Sequence, residues 1–96
     1  MDLKIGCVPV RVIREPVEDL VGEYESGPKP VIRLHPDLEG PGLASTLLHE
    51  VLHAIADMYG IDDVVKEREV RVLEMGLCQF FKDNPQTARD ILNGLL

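Results

Sequence analysis

The sequence has little cysteine, no clustered basic patch and no long apolar run, and each shortage removes a class of protein. Cys7 and Cys78 are its only cysteines, far apart and without a CxxC spacing. Neither thiol therefore has the close partner that a cysteine-based zinc site requires. Both are expected as small core residues in a reducing, cytoplasmic compartment. Lysine and arginine number 10 against 17 aspartates and glutamates, for a formal net charge of −7. Such a surface repels phosphate backbones, so nucleic-acid binding is disfavoured. No run approaches the roughly 20 apolar residues that span a bilayer, and the opening MDLKIGCVPV lacks the apolar stretch of a secretion signal. A membrane role is not expected. Internal repeats and low-complexity segments are also missing.

What remains is an ordinary globular composition, 45% apolar and 28% charged, in 96 residues. That length fits one domain over residues 1–96 with a modest core, to which a bound metal or a second copy in a homodimer could add stability. In the segment 2–14, Val8, Val10 and Val12 alternate as in a strand, with Pro9 marking an edge or a bulge. Residues 15–20 read as a connection, 21–25 as a second strand, 26–30 as a turn and 31–35 as a third strand. The loop 35–42 is broken by two prolines and two glycines. A long helix is expected over 43–59, with Leu48, Leu52, Ile55 and Ala56 as its apolar face and Gly60 as its stop. A second follows over 64–82, capped by Asp62 or Asp63. A short third helix, 85–94, starts at Asn84-Pro85 and would pack through Ala88, Ile91 and Leu92. Strands followed by helices indicate an α+β fold.

The first helix carries His49-Glu50-Val51-Leu52-His53, an HExxH segment. Residues four apart lie one above the other on a helix, so both imidazoles can reach one ion from one side. Neutral imidazole nitrogen is a good zinc ligand. Glu50 points roughly 100° away from His49 around the helix. It is badly placed to ligate but well placed to take a proton from a water beside the metal. The competing reading makes His49 and His53 surface or satisfied core histidines.

A catalytic zinc site needs a third protein ligand. HExxHxxGxxH is excluded, because Ala56 and Tyr59 stand where the glycine and the last histidine would be. Asp57 lies too far along an unbroken helix to share one ion with His49, and reads as an orienting or solvated residue. On the second helix, Val72, Leu73, Gly76 and Phe80 fall within about 60° of Glu69, taking roughly 100° per residue. Glu69 thus sits on an apolar stripe, where a carboxylate needs a metal, an arginine or a backbone partner. Gly76 on that stripe would let the two helices approach closely. Glu67 and Glu74 fall about 140–160° away and read as solvated charges.

HExxH on one helix with a glutamate from the next resembles the gluzincin metallopeptidases, most closely the minimal zincin-like domains of small phage-type proteins. The segments TLLHEVLHAIADMYG and E..VL..GL..F..DNP carry the likeness, over residues 46–85. The resemblance implies Zn²⁺ held by His49, His53 and Glu69, with Glu50 as general base. It implies a small antiparallel sheet of about three strands packed on two long helices plus a short C-terminal helix. It also implies a peptide or protein substrate paired along an edge strand, for which 30–35 is the candidate. Larger gluzincins add an oxyanion-stabilising Tyr or His; Tyr24, His35 and Tyr59 are the residues available for that part. The expected activity is zinc-dependent hydrolysis of a peptide bond. The alternative is a zincin-fold binding or regulatory module that holds zinc without turnover.

Overall fold

The computed structural model describes residues 1–18 and 20–96. Its elements are strands β1 (Asp2–Ile5), β2 (Val8–Arg14), β3 (Gly22–Glu25) and β4 (Val31–Leu34), then helices α1 (Gly40–Met58), α2 (Glu67–Asp83) and α3 (Pro85–Asn93). The α+β class expected from the sequence is present. The sheet differs from expectation: it has four strands, in the order β1-β2-β4-β3, and it is mixed. β1 with β2 and β3 with β4 are antiparallel, whereas β2 with β4 is parallel.

Two local causes account for the difference. Residues 2–14 are a hairpin rather than one strand. Gly6 and Cys7 both take positive φ, 56° and 67°, and Ile5 pairs directly with Val8 across them. A two-residue turn of this kind matches the natural twist of the flanking strands. Cysteine is not a usual residue for such a turn, so the sequence pattern conceals it. Cys7 is consequently exposed rather than in the core. Second, β3 and β4 form a hairpin whose returning strand slots in beside β2. β4 therefore runs parallel to β2 and lies inside the sheet, so residues 30–35 are not an edge. The edge nearest α1 and α2 is β3.

Alternation along β2 and β4 turns Val10, Val12, Ile32 and Leu34 inward, each 6% exposed or less. α1 lies over them through Leu43, Leu47, Val51, Ala54 and Met58, spaced at three- or four-residue steps as a helix face demands. Of the Leu48–Leu52–Ile55–Ala56 stripe that the sequence suggests, Ala56 is buried and Leu48 and Leu52 are half-buried, whereas Ile55 is 37% exposed, and none of the four belongs to the cluster packed on the sheet.

α2 begins at N-cap Lys66, four residues past the earliest expected cap. It follows a turn at residues 62–64. α3 is ended by Gly94 in the left-handed conformation. Ala88 is half-buried, but Ile91 and Leu92 face solvent, the latter 82% exposed. Among the described residues, no helix is long and apolar enough to cross a membrane.

Candidate metal centre

α1 has a second face, turned towards α2, and His49 and His53 stand on it. The carboxylate that meets them is Glu67, in the first turn of α2. His49 Nε2 lies 2.6 Å from Glu67 Oε1, and His53 Nε2 lies 3.3 Å from Glu67 Oε2. One donor atom from each residue falls within 4.8 Å of the others, so the group could hold a metal ion. The donors, two imidazole nitrogens and one carboxylate oxygen, are of types that divalent metals accept.

Glu69, the ligand expected from the wheel, is not in this group. Its Oε1 accepts the backbone N–H of Lys66 at 2.9 Å. That is the reach-back bond of a capping box, satisfying an N–H that the helix start leaves without a partner. The error lies in which face of α2 is inward. Val72, Leu73 and Phe80 on the presumed inner stripe are 63%, 46% and 38% exposed, and a Cβ added at Gly76 would meet nothing within 4 Å. α2 instead docks through Glu67, Val70 and Glu74, at i, i+3 and i+7, with Val70 fully buried.

Glu74 has a distinct part that the sequence reading missed. Its Oε1 lies 2.7 Å from His49 Nδ1. A carboxylate there accepts a hydrogen bond from Nδ1–H, so that Nε2 is the nitrogen left facing Glu67 and available to an ion held between them. This is the familiar way in which the second nitrogen of a ligand histidine is oriented. The signal was available: Glu67 and Glu74 are seven residues apart, hence on one face.

Glu50 is 6% exposed, yet it lines the cleft beside the two histidines. In the polypeptide by itself, burial pushes its carboxyl up to about 7; the His49 charge opposes the rise, and the nearby glutamates add to it. For Glu67, burial resists ionisation, but His49, His53 and Arg71 outweigh it and hold the carboxyl below its ordinary value.

The cleft has a volume of about 710 Å³ and runs between β3 and the two long helices. β3 contributes Gly22, Glu23 and Tyr24 to its wall. Gly22 is where sheet and helix approach most closely: a Cβ there would lie 2.9 Å from Thr46 Cγ2 and 3.4 Å from Glu50 Cγ. Tyr24 Oη donates to Asp57 Oδ2 at 2.7 Å. Burial first, then that hydrogen bond and the Asp57 charge, raise the phenol to about 12.

His35 and Tyr59 lie elsewhere. His35 Nδ1 accepts the Asp37 backbone N–H, and the Tyr59 ring stands against Gly6 of the first hairpin.

Comparison with protein-family models, with curated proteins and with solved structures finds no match for this chain.

The chemistry therefore rests on the chain's own geometry. Two imidazoles, one of them oriented by Glu74, a carboxylate that reaches both and a second, buried carboxylate line one open cleft. His49, His53 and Glu67 of that set could hold a metal ion.

Proposed function

We propose that the protein is a zinc-dependent peptide hydrolase whose ligands are His49, His53 and Glu67. The observation that carries this reading is the meeting of the HExxH histidines with a carboxylate from α2, with Glu50 beside them but outside the ligand group. It keeps the gluzincin likeness of one helix supplying two histidines and the next a glutamate, with the glutamate two residues earlier than the sequence suggested.

Bound there, zinc would supply a Lewis-acid centre that polarises a carbonyl and acidifies a coordinated water. The remaining work belongs to the chain. Glu74 fixes the ring of His49 and its tautomer. Glu50 takes the proton from the attacking water and delivers it to the leaving amine. Its place in the cleft beside the two histidines suits that exchange. β3, the sheet edge bordering the cleft, offers unpaired main chain for an extended substrate. Tyr24 is the one of the three oxyanion candidates that lines the cleft.

The test is Glu50→Gln. The variant is expected to bind zinc like the wild type and to lose at least about 100-fold in kcat/KM on any peptide that the wild type cleaves, the usual scale for a general base. Full activity in the variant would remove Glu50 from the mechanism. A protein that binds zinc but cleaves nothing in a broad peptide screen would instead be the non-catalytic zinc-holding module.

A further inference from the structure

We infer that the cleft selects extended peptides carrying lysine or arginine, an assignment of substrate class that rests on the hydrolase reading. Among the described residues, six carboxylates line the cleft, Glu23, Glu50, Asp57, Asp62, Glu67 and Glu74, against a single cationic side chain of the Lys or Arg type, Arg71. The proposed ion and its chemistry use Glu67 and Glu50, and Glu74 is occupied by His49. The other three, Glu23, Asp57 and Asp62, take no part in the proposed chemistry.

Glu23 has a cation beside it, but not one of its own. Arg33 lies 2.8 Å from Glu15, 3.1 Å from Glu23 and 3.0 Å from Glu25, so one positive charge serves three carboxylates. Asp57 accepts only a neutral phenol hydroxyl. Among the described residues, no salt bridge neutralises Asp57 or Asp62. Arg71 is itself drawn to Glu67, at 3.5 Å. Field lines from such a concave, like-charged lining are focused into the cleft, attracting cations and repelling anions.

Two further observations point to a ligand rather than to a solvated acidic surface. Glu50 is buried as a residue, lines the cleft and, among the described residues, makes no hydrogen bond to the protein, while its oxygens stay open to the cleft; a donor that enters the cleft can reach them. Leu20, Val21 and Met75 also line the cleft. Aliphatic surface beside carboxylates suits the stem of a lysine or arginine, whose charged head can then reach the acidic groups.

The experiment uses the full chain loaded with zinc, in the Glu50→Gln form so that binding is read without turnover. The probes are two fluorophore-labelled octapeptides of one length, one alternating alanine with lysine, the other alanine with glutamate. Fluorescence anisotropy at low salt is expected to show the lysine peptide bound at least about ten-fold more tightly, with the preference shrinking as salt screens the charges. Asp62→Asn and Glu23→Gln are each expected to weaken the lysine peptide by about three-fold, the scale of one exposed ion pair, without weakening the glutamate peptide. Equal affinities, or a tighter glutamate peptide, overturn the inference.

Wild-type kinetics separate the two readings. If the wild type binds the lysine peptide selectively but does not cleave it, the hydrolase reading fails and the selectivity stands. If it cleaves both peptides with equal kcat/KM, the selectivity fails and the hydrolase reading stands.

Discussion

At the scale of single residues, Gly22 controls how closely β3 lies against the proposed catalytic carboxylate. Besides Thr46 and Glu50, a Cβ at this position would come within 3.2 Å of the Arg33 carbonyl oxygen. The backbone there cannot yield without disturbing the β3–β4 pairing. Gly22→Ala is therefore expected to destabilise the fold by about 1–3 kcal/mol, the usual cost of overpacking. The check is a lower urea midpoint at unchanged slope; an unchanged midpoint would mean that β3 stands farther from α1. Tyr24, two residues on, makes a pH prediction. Its phenol is raised from an ordinary value near 10 to about 12, so folding favours the protonated form. The associated stabilisation is present below about pH 10 and is lost as the pH rises through about 12. An absorbance titration should show one phenol that stays protonated past pH 11 and is missing from Tyr24→Phe.

At the scale of elements, α1 was legible in the sequence because its chemistry depends on helix geometry alone. His49 and His53 share a face wherever the helix is placed, and Glu50 is offset from them by the same rule. α2 was legible as a helix but not as to which face it turns inward. Its apolar residues are spread around it, and the stripe through Leu73 and Phe80 looked like the core face although it faces solvent. Only the position of α1 decides the matter, and that is tertiary information. The stripe puts Glu69 on the inner face, whereas its position at the third residue of the helix suits a cap, and its carboxylate accepts the Lys66 backbone N–H. The sheet failed at one point for a local reason, since the Gly6-Cys7 turn carries weak turn chemistry. It failed at another for a global one, since the order β1-β2-β4-β3 arises from how two hairpins sit side by side. Alternation still identified the inward residues Val10 and Val12.

At the scale of the whole molecule, the packing is uneven. Among the described residues nine apolar side chains are buried; α2 supplies only Val70 of these, and α3 none. The core lies between the sheet and α1, and mutational sensitivity should follow it. Ile32→Ala, at a fully buried site, is expected to cost about 2–5 kcal/mol. Leu92→Gln, at a site 82% exposed, is expected to change stability by no more than about 0.5 kcal/mol. Thermal or urea unfolding of the two variants checks the contrast. A large effect of Leu92→Gln would mean that α3 is covered in solution.

A metal held by His49 and His53 of α1 and Glu67 of α2 would join the well-packed layer to the sparsely packed one. The direct measurement is calorimetric titration of zinc into the wild type, Glu67→Ala and Glu69→Ala. The account predicts one site per chain in the wild type, kept in Glu69→Ala and weakened at least about ten-fold in Glu67→Ala, given that even outer-shell partners of a metal are worth 10–100-fold in affinity. No stoichiometric binding in the wild type, or loss in Glu69→Ala with retention in Glu67→Ala, would contradict it.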